Sequence, residues 1–75
     1  MSVKEKLDFK GLKCPMPALL AKRALERAAS GTCFEILCDD PLCGIDIPHM
    51  CRSENFAVLS LERRGETTRM VVQKP

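Results

Sequence analysis

A cysteine set between a lysine and two prolines, in the run Gly11-Leu12-Lys13-Cys14-Pro15-Met16-Pro17, is the arrangement in this chain best suited to chemistry. Pro15 disfavours helical backbone at the residue before it and presets its own φ for a first helical position. Cys14 is therefore expected as the N-cap of a helix that begins at Pro15. An oxygen-bearing side chain would cap that helix better. A thiol gains something else there, because the positive end of the helix dipole favours the thiolate, the nucleophilic form of cysteine. Pro15 and Pro17 carry no N–H, which leaves the amides of Met16 and of Cys14 itself as the main backbone donors for a sulfur anion. Lys13 adds a positive charge beside them. The expectation is a functional thiol at Cys14 with a lowered pKa.

Four further cysteines and one histidine could also do chemistry. Cys38, Cys43, His49 and Cys51 are all potential zinc ligands. Their spacing lacks the paired C-x2-C knuckles of common structural sites, so no metal is expected. An odd number of cysteines and no export signal point to reduced thiols rather than a disulfide framework. Cys33 and Cys38 fall on opposite faces of one strand by parity, and Cys38 reads as a small core residue. Cys51 reads as part of a buried helical stripe, and Cys43 as a thiol near a helix start. His49 reads as a surface residue. Asp40 reads as a helix cap and Asp39 as the end of a strand.

The elements that must position Cys14 follow from periodicity. Residues 7–10 alternate apolar and polar as a short strand does. Over residues 15–29, Pro17, Leu20, Ala21, Ala24, Leu25 and Ala28 recur at helical spacing, with Gly31 as the stop. Residues 32–39 predict a strand with Phe34, Ile36 and Cys38 inward. Asp40-Pro41 and Asp46-Ile47-Pro48 each repeat the cap-then-proline signal, which predicts a broken second helix: a first turn over 41–45 and a main part over 48–54. Residues 56–62 and 68–73 are β-rich and joined by a hairpin at 64–66. The order β-α-β-α-β-β predicts a two-layer α/β sandwich of the α+β kind, with both helices on one face of the sheet and the other face open.

Seventy-five residues make one domain, residues 1–75, close to the size at which a single core only just suffices. A net charge of +2, with no Trp or Tyr, argues against a direct nucleic-acid partner. No apolar run approaches the ~20 residues that span a bilayer, and residues 1–6 lack a signal peptide's apolar core. The expectation is a cytoplasmic protein with no membrane partner. On a helical wheel, Met16 and Leu19 project with Lys22 and Arg23, away from the core stripe. An apolar pair beside the thiol with basic groups at its rim fits a small docking surface made of Lys13, Met16, Leu19, Lys22 and Arg23.

Leu7-Asp8, the run from Gly11 to Pro17, Gly31, Asp39-Asp40-Pro41 and Asp46-Ile47-Pro48 together resemble the TusA/SirA-like sulfur carrier family, whose signature is Cys-Pro-x-Pro at the start of the first helix. The resemblance covers nearly the whole chain. It implies a mixed four-stranded sheet with two helices on one side, as in the C-terminal domain of translation initiation factor three. It also implies that Cys14 accepts persulfide sulfur from a cysteine desulfurase or rhodanese-type donor and passes it to a downstream sulfur-accepting protein, with no cofactor and as a monomer. The destinations it implies are tRNA thiolation, molybdenum-cofactor enzymes or other sulfur metabolism. Met16 stands between the prolines where some relatives have an acidic residue, and four more cysteines accompany Cys14, so only Cys14 is carried over as the site. Two other functions fit the same residues: a regulatory or interaction module of this fold, and a thiol redox sensor. Against the sensor stands the lack of a resolving C-x-x-C partner.

Overall fold

Alternation in the strands and an i, i+4 apolar stripe in each helix converge on one buried layer in the computed structural model, which describes residues 4–75. The segment read for an export signal lies partly outside the described residues. Six elements follow one another in the predicted order: β1 (Lys4–Asp8), α1 (Met16–Arg27), β2 (Cys33–Cys38), α2 (Cys43–Glu54), β3 (Ala57–Arg64) and β4 (Thr67–Gln73). The sheet order is β1-β2-β4-β3, with β1 parallel to β2 and the remaining pairs antiparallel. Phe34, Ile36 and Cys38 of β2 and Met70 and Val72 of β4 share one cluster with Ala21 and Leu25 of α1 and Ile47 and Cys51 of α2. Both helices therefore cover the same face, as expected. On the other face Arg69 of β4 pairs with Glu35 of β2 and Glu62 of β3, clipping three strands together.

Several boundaries differ from the sequence reading. β1 lies earlier than residues 7–10, although the parity holds: Leu7 and Phe9 turn inward while Asp8 and Lys10 are exposed. Phe9 sits past the strand end, buried, with its N–H on Leu37 O at 2.7 Å. α1 starts one residue later than predicted, at Met16, with Pro15 at the N-cap position and no side-chain cap. It also ends earlier, at Arg27, where Ala28 turns extended. Gly31 is thus not the residue that stops α1. It supplies the positive φ of +89° in the turn before β2 and binds Lys74 O through its N–H at 2.6 Å.

The second helix is not broken. α2 runs through Pro48, which removes only the hydrogen bond its N–H would have given to Gly44. Cys43, Ile47 and Cys51, all buried, form an uninterrupted i, i+4, i+8 stripe whose packing holds the helix across that gap. It ends on Asn55 in the left-handed region, with Phe56 N–H returning to Cys51 O at 2.8 Å. Cys33, predicted outward, is buried at the start of β2.

The cysteines depart furthest from expectation. Cys38 and Cys43 are joined in a disulfide, not reduced, while Cys14, Cys33 and Cys51 remain thiols. Cys38 ends β2 pointing into the core and Cys43 opens α2 pointing into the same core. Their Cα atoms lie 6.6 Å apart, within bridging reach. Strand parity relates Cys38 only to Cys33 and says nothing of a partner on the next helix.

Candidate functional site

Cys14 lies in the connection between β1 and α1, half-buried. Two acidic residues from the β2–α2 connection tie that loop down. Asp39 accepts the Gly11 N–H at 3.0 Å, and Asp40 accepts the Cys14 N–H through Oδ2 at 3.1 Å. Asp40 is itself fixed, because its other oxygen accepts the Leu42 N–H at 2.8 Å ahead of α2. Asp40 is not the helix cap expected from the sequence: Leu42 holds the N-cap position of α2 with no side-chain cap hydrogen bond, and Asp40 instead closes a local turn ahead of it while also holding Cys14. The buried carboxyl of Asp40 titrates below its ordinary value: the Leu42 N–H is the main cause, then the Cys14 N–H, with the Lys13 charge adding to them against the cost of burial.

The thiol itself meets a third carboxylate. Cys14 Sγ donates to Asp46 Oδ2 at 2.5 Å, from the first turn of α2. A carboxylate is acceptor-only, so this bond exists only while the sulfur keeps its proton. The consequence reverses the sequence expectation: the Cys14 pKa is raised above the ordinary thiol value, first by the Asp46 hydrogen bond, then by desolvation and by the negative charges of Asp46 and Asp40.

The donors expected to lower it are spent elsewhere. Met16 N–H bonds to Lys13 O at 2.8 Å, the Cys14 N–H is held by Asp40, and the Lys13 charge acts on Asp40. Cys14 is also not the N-cap, since Pro15 takes that position after a cis Cys14–Pro15 peptide.

The other singled-out residues fall as follows. Met16 and Leu19 are 43% and 52% exposed, and they line a shallow groove on α1 with Leu20, Lys22, Arg23 and Glu26. Lys22 also pairs with Glu54 of α2 at 3.5 Å. Lys13 is exposed. Of the four residues weighed as zinc ligands, Cys38 and Cys43 are consumed by the disulfide, Cys51 is buried and His49 is exposed on α2. Burial pushes the Cys51 thiol up to about 11. Among the described residues no group of three or more His, Cys, Asp or Glu side chains is placed to hold a metal ion, and no helix is long and apolar enough to cross a membrane.

Asp46 is the residue the sequence reading missed. In the sequence it reads as a cap for a helix starting at Pro48; in the structure that helix starts five residues earlier, which turns Asp46 into a first-turn side chain facing Cys14. A signal was present in the spacing of Asp40 to Asp46, which puts both acids near the start of α2.

Comparison with known proteins bears on the family and the fold. The model of the family described as Sulfurtransferase TusA matches residues 5–74. Among solved structures the chain is similar to a SirA-like protein from Desulfitobacterium hafniense, at 23% identity over 97% of this chain and 96% of that one, with a TM-score of 0.77. That likeness is one of fold: two helices against a four-stranded mixed sheet.

Proposed function

We infer the function from one premise: the chain belongs to the TusA sulfurtransferase family. Membership supports a sulfur-carrier role in general. Within it, we assign the carrier sulfur to Cys14. The observation that carries this assignment is the state of the cysteines: of the three without a disulfide, Cys33 and Cys51 are buried, and Cys14 alone is half-exposed, at the head of α1.

The transfer needs no electron acceptor. Cys14 Sγ attacks the terminal sulfur of a donor cysteine persulfide, the donor's S–S bond breaks, and the donor leaves as a thiolate that takes up a proton. Cys14 then carries the sulfur as its own persulfide, and a second attack by an acceptor thiol reverses the roles. Such exchange depends on the attacking sulfur's ionisation, on the leaving thiol and on access. A cysteine desulfurase is the donor class proposed. Docking is assigned to the α1 groove, on the helix that follows Cys14 in the chain, where Met16 and Leu19 offer exposed apolar surface and Lys22 and Arg23 offer positive charge for an acidic rim on the partner.

Intact mass after incubation with a cysteine desulfurase and cysteine tests the reading. One added sulfur, removed by reductant, is expected on the peptide containing Cys14, and the Cys14→Ser protein should gain none. Sulfur found chiefly on Cys33 or Cys51 would overturn the assignment.

A further inference from the structure

A carrier must take sulfur and then give it up, and the environment of Cys14 differs for its two states. Unloaded, the thiol has a proton to donate, and Asp46 accepts it at 2.5 Å. Loaded, the inner sulfur is bonded to carbon and sulfur and has no proton, so that hydrogen bond cannot form. The outer sulfur lies about 2 Å further along the new S–S bond. A persulfide is a stronger acid than a thiol, so this outer atom is an anion near neutral pH. The charges that act on Cys14 are those of Asp46 from α2 and Asp40 from the β2–α2 connection, while Lys13, from its own loop, is exposed and acts on Asp40. An anion there meets like charge, with Asp40 fixed by two backbone N–H groups and unable to withdraw.

Resting on the sulfur-carrier reading of Cys14, we propose that Asp46 is a positioning residue for sulfur relay: it holds the unloaded thiol in place, receives its proton as Sγ attacks the donor, and afterwards repels the loaded sulfur outward toward an acceptor. The steps balance. The proton leaves Sγ for the Asp46 carboxylate as the new S–S bond forms and the donor's S–S bond breaks, and Asp46 returns it to the departing donor thiolate. No group is oxidised or reduced overall, because the sulfane sulfur moves between two thiols. The same carboxylate therefore acts in opposite senses before and after loading, attracting S–H and repelling S–S⁻.

The test compares wild type with Asp46→Asn and Asp46→Glu, each unloaded and each loaded with sodium tetrasulfide. Alkylation by iodoacetamide is followed by mass against pH. Unloaded wild type should alkylate with a midpoint above the ~8.5 of a free thiol. In Asp46→Asn the midpoint should fall. Each unit of fall raises the thiolate fraction about tenfold, and lower intrinsic nucleophilicity takes back about threefold, so alkylation below both midpoints should quicken about threefold per unit. Loaded Asp46→Asn should gain nothing, so the ratio of loaded to unloaded rate should shrink by that factor. Asp46→Glu, which keeps the charge, should restore part of the ratio.

An unloaded wild-type midpoint at or below that of a free thiol overturns the proposal, whatever the variants do. So does an unchanged ratio in Asp46→Asn. Failure of wild type to load at Cys14 is a separate result, which refutes the sulfur-carrier reading, and with it the relay, even where the unloaded profile shows the Asp46 effect.

Discussion

Reducing the Cys38–Cys43 disulfide should cost the fold a large share of its stability, and the size can be worked from the sequence separation of five. Closing so short a loop removes chain entropy from the unfolded state worth about 2 kcal/mol at 25 °C. A domain of this length is expected to hold roughly 4–11 kcal/mol in all, so the bridge is roughly a sixth to a half of the total. The cost should be mainly that of the unfolded chain, although the two sulfurs must part from bonding to non-bonded contact distance on reduction. Cys38 and Cys43 are 0% and 1% exposed, and a free Cys38 thiol would lie 3.9 Å from Thr68 O, within reach of a weak S–H bond. Urea titration of the same protein with and without a thiol reductant is the assay. With a slope of about 1 kcal/mol per molar urea, the midpoint should drop by about 2 M at constant slope. A thiol count on the unreduced, denatured protein should find three free groups, namely Cys14, Cys33 and Cys51. Superimposable titrations, or five free thiols, would refute the reasoning.

Two further expectations concern the docking surface and acid. Replacing Met16 and Leu19 together by Ser should change stability by under about 1 kcal/mol, since both are surface residues, while Leu25→Ala, at a fully buried position, should cost about 2–5 kcal/mol. The same Met16/Leu19 variant should bind the desulfurase more weakly, and charge reversal at Lys22 and Arg23 should slow association in a salt-dependent way, with unchanged binding in both placing the docking site elsewhere. Asp40, whose folded pKa lies below its ordinary 3.8, contributes stability that is complete above that value and lost as pH falls through the lower folded one. Urea midpoints taken from about pH 7 to about pH 2 should fall more steeply below 3.8 in wild type than in Asp40→Asn, and parallel curves would remove Asp40 from the acid response.

The architecture was legible because it rests on local pattern. The Pro17, Ala21, Leu25 stripe of α1 and the Phe34, Ile36, Cys38 alternation of β2 state their buried faces directly, and the predicted order and layering hold. The position of Cys14 was legible for the same reason, since Pro15 and Pro17 punctuate the chain at the head of α1. Its electrostatics were not. They depend on Asp40 and Asp46, 26 and 32 residues away, and on which backbone N–H groups are already spent. A rule about helix dipoles sees the chain near Cys14; it does not see a carboxylate arriving from another helix. Pro48 misled in a similar way. A proline inside a helix normally argues for a break, but the Cys43, Ile47, Cys51 stripe supplies enough packing to outweigh one missing bond. That single difference moved the start of α2 and with it the role of Asp46.

The raised Cys14 pKa changes what must confer reactivity. Oxidation and alkylation of cysteine follow thiolate character and exposure, so a half-buried thiol held protonated by Asp46 is sluggish toward small oxidants and electrophiles. The other cysteines offer no competing thiol, being buried or locked in the disulfide. Speed toward a sulfur donor then has to come from positioning, because holding two reacting sulfurs together supplies effective concentration that ionisation does not. On the docking proposed for α1, the exposed apolar pair Met16 and Leu19 would act on rate as well as on choice of partner: weakening it should slow transfer from the desulfurase while leaving the slow reaction with free iodoacetamide unchanged. Equal slowing of both reactions in the Met16/Leu19 variant would mean that the groove shapes the thiol itself, and that docking adds nothing to its reactivity.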